Sequence, residues 1–134
     1  MKVVLDTNIL LASIPKLSKY RPIFDSLISG KFDLIISNEI ITEYEEVISK
    51  KTNSLIASNI LELLMILRNV SKQEVYYRWN LIQIDTDDNK FVDTAIAGSA
   101  DFIVTNDSHF LVLNTIQFPV VKSIGIDEFL NLIN

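Results

Sequence analysis

Val3-Val4-Leu5-Asp6-Thr7-Asn8 and Phe102-Ile103-Val104-Thr105-Asn106-Asp107 are two short apolar runs that break in the same way, into small polar residues and a carboxylate. A β-branched run of this length reads as a buried parallel strand, and the residue that follows it stands at the strand's carboxyl end. Open α/β sheets take their ligands at that edge. Two strands that each deliver an Asp there predict a group of acids that repel one another unless a cation joins them.

Outward from these strands the chain alternates. Ile9 to Ile14 forms a short helix closed by Pro15, and Tyr20, Ile23, Phe24, Leu27 and Ile28 recur at helical spacing up to Gly30. A strand follows at Phe32 to Ile36. Ser37 or Asn38 caps a helix whose apolar stripe is Ile40, Ile41, Tyr44, Val47 and Ile48. Ser54 to Asn69 is apolar over more than half its circumference, which predicts deep burial or a contact with a second copy in a homodimer. Val75 to Ile84 reads as extended, with a strand around Leu81-Ile82-Gln83-Ile84. A helix spans Asn89 to Ser99, Val120-Val121 makes a last edge strand, and Gly125 to Ile133 a closing helix. Strands alternating with helices predict a three-layer α/β/α sandwich around a central, mainly parallel sheet of about five strands, with right-handed crossovers.

The bulk properties fit one domain over residues 1–134. No apolar run approaches the ~18 residues that span a bilayer, so no membrane partner is expected. Met1-Lys2 leads into the first strand without a secretory signal, and the absence of cysteine suits a cytoplasmic location and excludes thiolate metal sites. The formal charge of −5 argues against a nucleic-acid partner, which favours a basic face. Two divalent ions held by four acids would bring the chain close to neutrality, leaving local patches to decide. Lys16, Lys19 and Arg21 form one such patch, or are ordinary solvated charges. Tyr76-Tyr77-Arg78-Trp79 reads either as rings that stack nucleic-acid bases or as core and edge packing around a snorkelling Arg.

Between the two Asp-ended strands the helices contribute further acids. At about 100° per residue, Glu43 and Glu45 sit on opposite borders of the Ile40/Tyr44/Val47 stripe, and the wheel does not choose between them. Asp88 falls on the buried face at the start of its helix, as a ligand or as an N-cap. Asp93 falls outside the apolar stripe of that helix. His109, two residues past Asp107, reads as a general acid or as a helix-start residue packing beside Phe110.

Val4-Leu5-Asp6-Thr7-Asn8, Ile41-Thr42-Glu43-Tyr44-Glu45-Glu46-Val47, Asp87-Asp88-Asn89-Lys90-Phe91-Val92-Asp93-Thr94-Ala95 and Ala100-Asp101-Phe102-Ile103-Val104-Thr105-Asn106-Asp107 together resemble the PIN-domain family, in particular its prokaryotic branch of toxin–antitoxin toxins. The resemblance runs from Met1 to about Val121, and the gaps of 37 residues from Asp6 to Glu43 and 19 from Asp88 to Asp107 make the combination specific. It implies a metal-dependent ribonuclease whose acidic quartet is Asp6, Glu43, Asp88 and Asp107, which selects Glu43 over Glu45. It implies Asp93 as a secondary metal candidate and Thr7, Asn8 and Thr105 as supporting polar residues. Asn106 stands where the branch often has Gly. The implied partners are an RNA substrate and an antitoxin protein.

Oxygen donors without cysteine favour Mg(II) or Mn(II), as one ion or two. A phosphoacceptor regulatory domain would need paired acids after the first strand and an Asp after a middle one, where this chain has Ser37-Asn38. A haloacid-dehalogenase-type phosphatase would need an acid at Asn8. The alternative that survives is a PIN-like module that binds RNA or protein without cutting.

Overall fold

The computed structural model describes residues 1–134. Five strands, β1 (Lys2–Leu5), β2 (Asp33–Ile36), β3 (Val70–Lys72), β4 (Phe102–Val104) and β5 (Ser123–Ile124), form one sheet in the order β3-β2-β1-β4-β5. Every pairing is parallel, with Val3 opposite both Leu34 and Phe102. Val3, Val4 and Leu5 are wholly buried. Since successive side chains of a strand point to opposite faces, both faces of the sheet are covered, and this is why the central strands show no polar alternation. The cover comes from α1 (Thr7–Ser13), α2 (Arg21–Ile28), α3 (Asn38–Lys51), α4 (Ser54–Ile66), α5 (Asn89–Ala97) and α6 (Ile126–Ile133). No helix is long and apolar enough to cross a membrane.

The crossovers bring helix N-termini to the carboxyl edge of the sheet. Ser37 caps α3 by accepting from the Ile40 N–H, and the Thr94 hydroxyl of α5 reaches the Ser37 hydroxyl at 2.9 Å. Gly98, at the end of α5, lies against β2 so closely that a Cβ would meet Ile35 side-chain carbons at 2.9 Å. Tyr44 is wholly buried, and its hydroxyl donates to the Leu5 carbonyl at 2.6 Å, tying α3 to the end of β1.

Three elements differ from the sequence expectation. The third strand is Val70–Lys72, not Leu81–Ile84, and it pairs with Leu34–Ile36. It has one apolar residue in three, so no pattern marks it; its place is fixed by backbone bonds at a sheet edge. The Leu81–Ile84 stretch belongs to no strand. Asn80, just before it, has φ 53°, a left-handed conformation that Asn tolerates. Ile82 there is buried, and both its backbone groups are satisfied by the Asn89 side chain, the N–H at 2.9 Å and the carbonyl at 2.8 Å. The last strand is Ser123–Ile124 instead of Val120-Val121, because the ladder to β4 begins only at the Lys122 carbonyl, which accepts the Ile103 N–H. α1 also starts at Thr7, two residues earlier than its apolar spacing suggests, since Asp6 already stands in the cap position.

Candidate metal centre

Asp6 continues the sheet edge by donating its N–H to the Val104 carbonyl, which aims its carboxylate across the gap between β1 and β4. The Thr105 hydroxyl donates to Asp6 Oδ2 at 2.7 Å and accepts the Asp107 N–H at 3.0 Å, so one side chain sets the spacing of both acids. Asp107 in turn caps the 3-10 helix Ser108–Thr115 by accepting the His109 N–H at 2.9 Å. Glu43 enters from α3. Its Oε2 accepts from the Thr7 hydroxyl and its Oε1 meets Lys90 Nζ at 2.8 Å, in a pair that is mostly buried. Glu45 is exposed on the other border, so the tertiary packing directs Glu43 to the sheet edge where the wheel left two choices.

Asp88 stands just before α5, after the 3-10 turn Thr86–Asp88, and makes no capping bond from its side chain. Its carboxylate faces His109 instead, with Nδ1 at 3.3 Å from Oδ2. The same Nδ1 lies 3.4 Å from Asp107 Oδ1. The imidazole therefore bridges two acids of the edge, and packing beside Phe110 does not describe it. Burial pushes the Asp88 carboxyl up to about 6, against the lowering contact with His109, and the charges of Asp85, Asp107 and Asp6 push the same way. Asp6 is likewise raised, first by burial and then by Glu43 and Asp107, although the Thr105 hydroxyl and the Thr7 N–H pull it down. Asp6 thus feels the charges of Glu43 and Asp107, and Asp88 those of Asp107 and Asp6.

Of the four acids, Asp88 alone belongs to a set of three donors close enough to share an ion. Asp85, Asp88 and His109 each offer a ligand atom, and these atoms lie within 4.8 Å of one another, close enough for one ion. Lys90 is the cation of the group. Burial alone would lower its pKa, but the contact with Glu43 prevails and holds the ammonium above its ordinary value. Its only signal in the sequence is a lone Lys in the first turn after an acid-rich stretch. Oxygen donors with mutual repulsion and no thiolate fit a hard divalent cation, which would relieve the strain that burial imposes.

The other expected residues stand apart from this group or at its rim. Asp93 is buried, contrary to the wheel, because the segment before α5 folds over it and the Trp79 N–H donates to it at 3.0 Å. Its charged neighbours are Arg78 and Glu39, not the acids of the sheet edge. Asn8 is exposed and, with Asp6, Asn106 and Asp107, lines an open recess of about 390 Å³. Asn106 is a structural residue, whose Oδ1 accepts the Ile126 N–H at 3.0 Å at the start of α6. Of the basic patch, Lys19 pairs with Asp127 at 3.3 Å and Arg21 with Asp25 at 2.9 Å, so neither charge is free. A larger groove, about 700 Å³, runs between α3 and α4 past Ile41, Leu63 and Met65 and contains none of the quartet.

A sequence profile of the PIN domain matches residues 2–109. No curated protein matches the chain. Among solved structures, VapBC2 from Rickettsia felis, bound to a DNA fragment from their promoter, superposes with a TM-score of 0.60 at 20% identity, covering 92% of this chain and 98% of that one. PAE2754 from Pyrobaculum aerophilum also gives a TM-score of 0.60, at 14% identity, covering 99% of this chain and 89% of that one. At such identities the likeness is one of fold.

Proposed function

The chain belongs to the PIN-domain family, and on that footing we propose that it is a metal-dependent ribonuclease that hydrolyses RNA phosphodiesters at Asp6, Glu43, Asp88 and Asp107. The observation that carries this reading is the approach of these acids from four separate elements, Asp6 and Asp107 through the shared Thr105 hydroxyl, Glu43 through Thr7, and Asp88 through the His109 ring it shares with Asp107. Asp6 and Asp88 would hold Mg(II) or Mn(II), with Glu43 completing the shell directly or through water and Asp107 supporting a second ion. The His109 imidazole among the donors shifts the preference toward Mn(II). A divalent ion bound there supplies charge neutralisation at a phosphate and a more acidic water.

Each supporting side chain has its own part. Thr105 holds Asp6 and Asp107 at a fixed spacing, and Thr7 and Lys90 hold the two Glu43 oxygens. Lys90 keeps a positive charge beside the acids, where a substrate phosphate would otherwise meet only repulsion. The His109 Nδ1 lies between Asp88 and Asp107, at 3.3 and 3.4 Å, and holds the two carboxylates in register. Incubating the protein with mixed RNAs, with Mn(II) or with chelator, tests the reading. Cleavage only with the metal supports it, and RNA binding without cleavage in either buffer assigns the non-catalytic alternative.

Thermal stability offers an independent check. An acid whose folded pKa is raised contributes stability that is complete below its unfolded value and is lost as pH rises through its folded value. For Asp88 that loss runs from the ordinary value of 3.8 up to about 6 and is nearly complete above it. Metal-free protein should therefore melt lower at pH 7.5 than at pH 5, by about 1 kcal/mol after allowance for water reaching the site, or ~2–6 °C. With millimolar Mn(II) the slope should reverse, because the ion binds the deprotonated acids. Parallel slopes with and without Mn(II) would exclude Asp88 as a ligand.

The toxin role and an antitoxin partner follow from the same family branch, and a small neighbouring gene whose product copurifies and suppresses cleavage would establish both. We further assign homodimerisation to α4, whose Leu55, Met65 and Ile66 are exposed. Sedimentation at micromolar concentration should give a dimer, and Met65→Asp with Ile66→Asp a monomer. A monomeric parent chain refutes the assignment.

A further inference from the structure

Both oxygens of Glu43 are taken by donors of the chain itself. Thr7, at the head of α1, donates its hydroxyl to Oε2, and Lys90, in the first turn of α5, brings Nζ to 2.8 Å from Oε1. The side chains of this pair are 15% and 23% exposed, whereas every other lysine or arginine ion pair keeps at least one partner 60% exposed or more. A pair this far from water cannot be broken on one side without leaving an uncompensated charge, which costs far more than the same break at the surface. Glu43 therefore keeps a cation against it, and in the metal-free protein that cation is Lys90.

The surroundings give Lys90 a second place to go. Besides Glu43, the charges of Asp87 and Glu39 act on its ammonium. Glu39 is engaged by Arg78 at 2.7 Å, whereas Asp87 is exposed and pairs with no cation. Asp87, Glu43 and Lys90 line one open recess of about 510 Å³, which leaves room for the lysine stem to turn from one carboxylate to the other. A lysine suits such a move, being a point charge on a flexible four-carbon stem, where arginine would be held by its planar fork. Lys90 makes no ion pair with Asp6, Asp88 or Asp107, so its neutralisation is confined to Glu43, and the charge of Glu43 still bears on Asp6. A divalent cation takes several carboxylates at once. It therefore outbids the single ammonium.

We propose that Lys90 is a positioning residue with two berths: in the metal-free protein its ammonium holds Glu43 as a stand-in cation, and on uptake of a divalent ion it releases Glu43 and turns to Asp87. This rests on the reading of the edge acids as a metal centre, and not on what is cleaved there. Since the ammonium must leave a mostly buried partner for an exposed one, Lys90 competes with the ion and sets its affinity. A merely supporting side chain has the opposite effect. Removing a group that only orients a metal ligand weakens the metal, typically about 10- to 100-fold. Removing a competitor tightens it, so the sign of the change separates the two roles.

The full chain is titrated with Mn(II) in the absence of RNA, as the parent, Lys90→Gln and Lys90→Arg. Lys90→Gln should bind Mn(II) about 10-fold more tightly, a modest share of the attraction between unit charges at this separation. Lys90→Arg keeps the charge and should not. The parent supplies a second measurement that needs no substitution. Labelling with acetic anhydride, read by mass spectrometry, should modify Lys90 slowly in chelator and several-fold faster in saturating Mn(II), with the exposed Lys16 as the internal control. Unchanged or weaker Mn(II) binding in Lys90→Gln would overturn the exchange. So would equal protection of Lys90 in the two buffers, or a parent chain that binds no Mn(II). If both effects appear but RNA is never cut, the exchange stands and the ribonuclease reading falls.

Discussion

Asp6→Asn should lower Mn(II)-dependent RNA cleavage at least about 100-fold, the upper end of what even outer partners of a metal ligand cost, while making the metal-free protein more stable. The two effects share one cause. Asp6 is held above its ordinary pKa by burial and by the charges of Glu43 and Asp107. Asn has the same shape and keeps an oxygen that accepts from the Thr105 hydroxyl, so the β1–β4 edge retains its hydrogen bond. What disappears is the charge. Relief of such repulsion is worth ~0.5–2 kcal/mol, or a rise of roughly 2–6 °C in Tm. The stabilisation that Mn(II) confers on the parent should vanish in the variant. Assays of cleavage and of melting, each with and without the ion, separate a ligand from a structural acid. A structural Asp6 would lose stability in chelator together with activity, and that result would dismiss it from the centre.

Asn89→Ala should cause the largest loss of stability of any single polar substitution here. Alanine is the better helix former, so the first turn of α5 gains slightly. Against this, the Ile82 N–H and carbonyl lose both partners while Ile82 itself stays buried at 1% exposure. An unsatisfied buried backbone group costs ~1–3 kcal/mol, so the pair amounts to about 3 kcal/mol, or ~10 °C in Tm. The segment from Gln73 to Asp85 should then loosen, with a red-shifted Trp79 emission as its signature. Asn89→Asp keeps one acceptor for the Ile82 N–H but adds a charge beside Asp88; its melting point should recover as pH is lowered from 7.5 to 5. A fall of less than about 2 °C for Asn89→Ala, well under the cost of one orphaned group, would mean that water replaces the clamp.

The sheet is legible in the chain where burial writes itself into composition. β1, β2 and β4 can be read because their residues are buried on both faces and must be apolar. α2, α3, α5 and α6 can be read because one face is buried and the spacing records it. β3 and β5 cannot, since two or three residues at a sheet edge are specified by backbone hydrogen bonds that any side chain permits. The same reason hides the Ile82–Asn89 clamp, in which one polar side chain takes the place of a neighbouring strand.

The acids divide along the same line. That Asp6 and Asp107 end strands, and so share an edge, is a local property of the Val3–Asn8 and Phe102–Asp107 runs. The choice of Glu43 over Glu45 depends on the Tyr44 hydroxyl meeting Leu5 and on the approach of Lys90 and Thr7, contacts between residues 36 to 47 positions apart. Asp93 is buried because Trp79, fourteen residues earlier, folds over it, and His109 meets Asp88 across twenty-one residues of chain. Element type and the presence of an acidic edge are thus local consequences of periodicity and strand ends. Which acids face one another, which base joins them and where the exposed rings lie were decided by packing between distant segments, which no window of sequence contains.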